Sequence, residues 1–322
     1  SYFWCSSRNL KMYETFIWYL ITVLMFLYWL HMLRGVVLTV LRVPVLDDEI
    51  DGNPELDRWP SLAIIVPACN EATTIAPAAQ TLADLDYPNL RIQLINDRST
   101  DETGQIIDEI ARNNERISAC HIAELPSGWL GKNHALHTGI SQSESDWILL
   151  TDADIHFSRN ALRKAIVFCE QNDIDHLAMA PDFYRVGPIL DSWITGFIRA
   201  FSVFLRLWKV PDPNSKAFVG VGAFNLIRRS AYNDTEGFPW LKLEVGDDVG
   251  LGLMMKRAGK RSQFCNGRGM IGLQWYRNFG EVARGAEKGY ATLAAGNAVA
   301  FILFTHSLLL FEIAPILLPV AM

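Results

Sequence analysis

Cysteine is scarce in this chain, and the five present (Cys5, Cys69, Cys120, Cys169 and Cys265) show no CxxC spacing. That excludes a small disulfide-stapled scaffold and a zinc-ribbon type of site, and the five read as mostly buried apolar residues in a reducing compartment. His134 and His137 are three apart but have no cysteine partner. A basic excess is also missing. The 29 Lys and Arg against 35 Asp and Glu leave a formal net charge of −6, whereas a nucleic-acid binder is expected to carry a basic face. No nucleic-acid partner is expected. Internal repeats and low-complexity tracts are lacking, so the middle of the 322 residues has material for one large core.

Charge itself is absent from two stretches. Phe16–Leu33 contains no Asp, Glu, Lys or Arg, long enough at 1.5 Å per residue to cross most of a roughly 30 Å hydrocarbon core. Trp18, Tyr19, Tyr28 and Trp29 lie toward its ends, as an interfacial aromatic belt requires. Arg8 and Lys11 on one side balance Arg34 and Arg42 on the other, so charge leaves orientation open. The stretch exceeds a signal-peptide apolar region, and no small-residue cleavage pattern follows. A retained anchor is expected within residues 1–43, followed by a linker over 44–60. Ala291–Met322 carries only Glu312 as a charge, so a C-terminal membrane segment is expected over 281–322. A third apolar stretch, 188–210, is interrupted by Asp191, Arg199, Arg206 and Lys209 at spacings compatible with one helical face; an interfacial helix or an ordinary packed amphipathic helix both fit.

Between the ends, short apolar runs alternate with helical patterns: Leu62–Val66, a helix from about Thr74, Ile92–Ile95, a helix from about Asp101, Trp147–Leu150, and a helix from about Arg159. This is βαβ rhythm. Continuous apolar runs suit parallel strands buried on both faces, so the expected fold is α/β, a mostly parallel sheet with helices on each side.

Ligands gather beyond the carboxyl ends of such strands. Acids stand there three times in succession: Glu71 after the first run, Asp97 after the second, Asp152 and Asp154 after the third. One acid at a strand end is commonly a helix cap; three in a row suggest a site. Asp152-Ala153-Asp154 offers oxygen ligands of the kind Mg²⁺ or Mn²⁺ prefers.

The series PACNEA (67–72), NDRSTD (96–101), GKNHAL (131–136), TDAD (151–154), GVGAFNLIRRSA (220–231) and GDDVGLGLMMKRAG (246–259) resembles the family 2 glycosyltransferases. The resemblance implies a GT-A fold over about 61–280, a nucleotide-diphosphate sugar donor, most often UDP-linked, a divalent metal (Mg²⁺ or Mn²⁺), and inversion at the anomeric carbon. It places Glu71 and Asp97 at the nucleoside, Lys132 near the nucleotide or phosphates, Asp152 on donor or metal, and Asp154 on the metal. In the Asp247-Asp248 pair the second acid would be the general base, although helical spacing after it also allows a plain N-cap. The family usually shows an acid where Asn96 stands and a glycine where Arg98 stands; Arg98 either adds a phosphate or sugar contact or is a solvated side chain, and the second is the expectation. Gln274-Trp275-Tyr276-Arg277-Asn278 resembles a QxxRW signature with Asn278 in place of the last Trp; Gln274 and Arg277 are assigned to the donor, Arg277 to its leaving diphosphate. Trp275 and Tyr276 could equally form a membrane-interface pair. LPSGWLG (125–131) resembles members acting on lipid acceptors.

The expected protein is therefore an integral membrane glycosyltransferase with a cytosolic catalytic domain, a lipid bilayer around its ends and a membrane lipid as acceptor. A processive polysaccharide synthase and a catalytically silent nucleotide-sugar-binding protein are the alternatives. A nucleotidyltransferase would more often carry a glycine-rich basic signature near the first strand, which PACNEA lacks.

Overall fold

The structure is a computed structural model that describes residues 2–285; the expected C-terminal membrane segment lies almost wholly outside the described residues. In chain order the elements are α1 (Tyr2–Arg42), α2 (Leu46–Glu49), β1 (Leu62–Ala68), α3 (Ile75–Ala83), β2 (Leu90–Asp97), α4 (Thr103–Asn113), β3 (Ile117–Ile122), α5 (Gly131–Ser141) and β4 (Trp147–Leu150). There follow β5 (His156–Phe157), α6 (Ala161–Asn172), β6 (His176–Ala180), β7 (Asp182–Phe183), α7 (Pro188–Leu205), β8 (Asn225–Arg228), α8 (Arg229–Asn233), α9 (Phe238–Leu241), α10 (Asp247–Arg257), β9 (Ser262–Asn266) and β10 (Ile271–Leu273).

Seven strands form one sheet in the order β3-β2-β1-β4-β8-β6-β9, and β5, β10 and β7 form a smaller one. Only β8 runs against its neighbours in the large sheet; the other pairings are parallel. β1 is buried along its whole length and β4 likewise, which explains their unbroken apolar runs: both faces are covered by helices, and no face needs polar residues. One core lies under α3 and α6, the other between the sheet and α5, α9 and α10. The expected mixed α/β architecture is borne out, with β4 carrying the DxD run out of the sheet centre.

The stretch 44–60, expected as a linker, lies along the domain. Val45 bridges to Asn266, Leu46 is fully buried, Lys164 Nζ donates to Asp47 Oδ1 at 2.8 Å, and the Arg163 guanidinium stands 4.7 Å over the Trp59 ring. These contacts hold the C-terminal end of α1 to the sheet.

α1 is one continuous helix. Among the described residues, two helices are long and apolar enough to cross a membrane, Thr15–Arg42 and Pro188–Lys209. They pack on each other: a Cβ on Gly35 would come within 2.6 Å of Val203 Cγ2, so glycine there lets the backbones approach closely. The Arg199 guanidinium stacks 4.9 Å over Trp29. The charges of 188–210 do not form the single polar face that their spacing suggested. Asp191 Oδ1 accepts the backbone N–H of Val186 at 3.0 Å and of Gly187 at 3.4 Å ahead of α7, Arg199 faces α1, and Arg206 takes the left-handed cap position at φ 54°. The outer face instead exposes Ile189, Trp193, Phe197 and Phe204.

Candidate active site

The loops leaving β1 and β2 are stitched to each other by short polar side chains. Asn70, itself left-handed at φ 60°, donates its N–H to Ser99 Oγ at 3.0 Å and accepts the Thr100 N–H at 2.8 Å. Asp101 accepts from the backbone N–H groups of Ala72 (3.2 Å) and Thr103 (3.0 Å), so this acid serves the loop and the start of α4. Glu71 accepts from Thr74 Oγ1 at 2.5 Å and sits at the rim. Asn96 donates to His121 and accepts the Ser99 N–H, a local role that explains a neutral side chain there.

Asp97 is buried, 4% exposed, and Arg98 forks onto it, Nε to Oδ1 at 2.8 Å and Nη2 to Oδ2 at 3.2 Å. The expectation of a merely solvated Arg98 is corrected here: burying a carboxylate requires a partner, and the adjacent guanidinium supplies one.

The second half of the site forms where β4, α5 and α10 meet. Lys132, in the first turn of α5, places Nζ 2.8 Å from Asp152 Oδ1 and 3.4 Å from Asp247 Oδ1. One ammonium thus joins the acid that follows β4 to the acids that open α10, which are 95 positions apart in sequence between Asp152 and Asp247. The three line one small cleft together with Asp248, Gly222 and Asn225.

Asp248 is not the helix cap. Gly246 holds that position, and the Asp248 carboxylate accepts the backbone N–H of Gly222 at 2.9 Å and of Val249 at 2.8 Å. Burial pushes its carboxyl up, with Lys132 opposing. Asp247 is pushed up to about 6, again by burial first, with Lys132 opposing and Asp248 and Asp152 adding like charge. Both are better proton acceptors than an ordinary aspartate. Their placement depends on glycines: a Cβ on Gly220 would overlap the Asp248 carbonyl, one on Gly252 the Val219 carbonyl, and one on Gly222 would lie 2.6 Å from Asp152 Oδ2.

Asp154 is pushed up to about 6 by burial, then by the negative charge of Asp152 and Glu71. Hard oxygen donors carrying uncompensated charge fit a divalent cation. No group of three or more His, Cys, Asp and Glu gathers as a metal cage among the described residues, so a cation held by Asp152 and Asp154 would complete its shell from phosphate oxygens and water.

Gln274 and Arg277 follow β10, whose Gly272 pairs with His156, two residues beyond Asp154. Gln274 Nε2 donates to the Tyr184 and Tyr276 carbonyls, and the Arg277 backbone N–H donates to Glu281. Among the described residues no hydrogen bond or ion pair links either to the Lys132 group. Trp275 and Tyr276 stack at 4.8 Å and lock onto α7 through Phe197 (5.5 Å) and Trp193 (6.4 Å). They join the rim of the site to the apolar helix pair.

Two residues escaped sequence reasoning. Asn133 is buried and donates to the carbonyls of Leu241 and, at 2.8 Å, Glu244, fixing the loop ahead of Asp247. Asn225 Oδ1 accepts from Val221 N–H at 3.3 Å and lies 3.1 Å from His176 Nε2. For Asn225 the available signal was a polar residue inside the apolar run Ala223–Ile227; Asn133, between Lys132 and His134, gave none.

The profile of the family described as "Glycosyl transferase family 2" matches residues 63–235, more than half of the chain. The chain belongs to this family. Among its relatives, "Probable glycosyltransferase YdaM" of Bacillus subtilis (strain 168) is 34% identical over 101 residues, 31% of this chain and 24% of the relative. "Beta-monoglucosyldiacylglycerol synthase" of Nostoc sp. (strain PCC 7120) is 24% identical over 196 residues, 60% of this chain and 40% of the relative. The chain spans about a quarter to two-fifths of the length of these curated relatives. Among solved structures, a mannosyltransferase from Pyrobaculum calidifontis in complex with GDP-Man and Mn²⁺ superposes with TM-score 0.63 at 20% identity, covering 85% of this chain and 73% of that one. The family 2 assignment and the GT-A fold therefore stand on both sequence and structure.

Proposed function

We propose that this family 2 chain transfers a sugar, with inversion, from a nucleotide-diphosphate sugar, UDP-linked, to a membrane-associated lipid acceptor. The carrying observation is the single cleft in which Lys132 joins Asp152 to Asp247 beside Asp248. Inversion by direct displacement needs one base on the acceptor face. Asp248 suits it: two backbone N–H groups fix the carboxylate, and burial raises its proton affinity. It takes the acceptor hydroxyl proton while Asp247 and Lys132 hold the local charge. Glu71 and Asp97 bind the nucleoside end, and Asp152 and Asp154 would hold a divalent metal, which would supply positive charge opposite the leaving diphosphate. Arg277, in the segment that follows β10, serves the leaving diphosphate and Gln274 orients it.

The lipid acceptor is supported by the relatives named as glucosyldiacylglycerol synthases and by the exposed apolar faces of α1 and α7, which suit a bilayer surface; in this reading the domain faces the cytosol. A second reading has one observation in its favour: a relative named "Poly-beta-1,6-N-acetyl-D-glucosamine synthase" from Staphylococcus aureus (strain COL) is 30% identical over 106 residues. Purified protein in lipid nanodiscs is incubated with a panel of nucleotide sugars and Mn²⁺ or Mg²⁺. Release of nucleoside diphosphate together with one-sugar glycolipid products is expected, and it disappears in Asp154→Asn. Long polymer products would favour the second reading, and full turnover by Asp154→Asn would remove the metal role.

A further inference from the structure

The Asp97–Arg98 pair is a built feature at the nucleoside end. Arg98 adopts a left-handed backbone, φ 55°, which is unfavourable for a residue with a side chain and costs glycine little. That conformation turns the guanidinium back over the preceding residue, so that Nε and Nη2 both meet the carboxylate while Nη1 stays outside the fork. The Asp97 side chain is 6% exposed and that of Arg98 36%, so the acid lies beneath the base and the outer edge of the pair is open. Gly131, first residue of α5, borders the pair so closely that a Cβ there would overlap Asp97 Oδ2 and Arg98 Nη2. β2, which ends at Asp97, and α5, which starts at Gly131, thus leave room for this one ion pair, and the residue after Gly131 is Lys132, which reaches Asp152.

A buried carboxylate needs partners for its oxygens, and the two guanidinium N–H groups supply them while fixing its orientation. A carboxylate has about four lone-pair positions; the fork occupies two.

We propose that Arg98 is a positioning residue of the nucleoside subsite: its fork fixes the Asp97 rotamer and holds that buried carboxylate as an acceptor for N–H groups on the base of a nucleoside diphosphate. The inference rests on the reading of Asp97 as the nucleoside contact. Arg98 acts on the nucleoside through Asp97, and the phosphates are left to Lys132 and the metal.

The test uses the full chain in nanodiscs and measures by calorimetry the affinities of UDP, GDP, CDP and ADP with divalent metal; the tightest is carried forward, with inorganic pyrophosphate as the phosphate-only probe. Arg98→Gly, which suits the left-handed backbone, is expected to weaken the nucleotide roughly 10- to 100-fold and pyrophosphate less than twofold. Arg98→Lys, which keeps the charge but not the fork, is expected in between, and Asp97→Asn as weak as Arg98→Gly. Nucleotide binding unchanged or tighter in Arg98→Gly overturns the proposal, as does an equal loss of pyrophosphate, which would make Arg98 a phosphate ligand. If Asp97→Asn binds like the wild type, the nucleoside reading of Asp97 fails and the proposal with it. Loss in Asp97→Asn without loss in Arg98→Gly removes the Arg98 role alone.

Discussion

Asp97 at the end of β2 and Asp247 at the head of α10 are buried to similar degrees, 4% and 7% exposed, yet they are balanced differently. Asp97 receives a whole guanidinium from its own sequence neighbour, within loops tied together by Asn70, Ser99 and Asp101. Asp247 shares the Lys132 ammonium with Asp152 and stands beside Asp248; burial first, and then this neighbouring negative charge, raises the proton affinities against the pull of Lys132. A compensated carboxylate suits binding; an under-compensated one suits proton transfer. The surroundings of Asp97 are assembled locally and those of Asp247 by packing between distant segments.

The sharpest break in this comparison is Asp248→Asn, which keeps shape and removes the base. Transfer is expected to fall about 10²- to 10⁴-fold, read as glycolipid formed per unit time, with the melting temperature unchanged or higher because a buried charge is gone. A mutant with more than a tenth of normal turnover would refute the role.

Removing the shared cation comes next. Lys132→Met leaves Asp152 and Asp247 without their partner; since Lys132 is 38% exposed at its side chain, solvent screens part of the loss, and transfer is expected to fall roughly ten- to a hundredfold. Lys132 lowers the proton affinity of Asp247 and Asp248, so its loss raises both, and the acid limb of the pH–rate profile moves to higher pH. An unmoved limb would separate Lys132 from the acceptor end.

Glycine packing supplies a third contrast. Gly252→Ala drives a Cβ into the Val219 carbonyl, a backbone atom that cannot swing aside, and is expected to cost about 1–3 kcal/mol along with transfer. Gly131→Ala meets only side-chain tips of Asp97 and Arg98 and should cost less stability while weakening nucleotide binding. Denaturant titration of the two variants checks the ranking.

The smallest expected effect concerns pH and stability. Asp247 binds its proton more tightly folded, about 6, than at its ordinary 3.8. Its contribution is full below about pH 4 and is lost as pH rises through about 6, the reverse of a salt-bridged aspartate. Asp247→Asn should therefore flatten the decline in stability between pH 4 and 7 by on the order of 1 kcal/mol, whereas the wild-type slope retained in the mutant would assign the decline to other groups.

Much of this was legible in advance. The apolar runs gave β1, β2 and β4 because parallel strands buried on both faces leave no room for polar residues, and the acids behind them marked the rim of the site. Arg98 was misread because its partner is its own neighbour: adjacent side chains normally diverge, and only the left-handed backbone at 98 turns them together. Asp191, Arg199 and Arg206 were misread for a related reason, since helical spacing reports a face but not whether a charge caps a helix, meets an aromatic ring on α1, or ends the helix.

By itself the sequence determined the alternation of elements, the apolar α1, and the family to which the chain belongs, because hydrophobic period and short motifs are properties of neighbouring residues. Tertiary structure alone decided which cation answers which acid. Lys132 meets Asp152 and Asp247 only after β4 has paired beside β1 and β8 and the glycines at 220, 222 and 252 have let α10 close against the sheet. Charge compensation depends on distances across the fold, and no spacing along the chain encodes those distances.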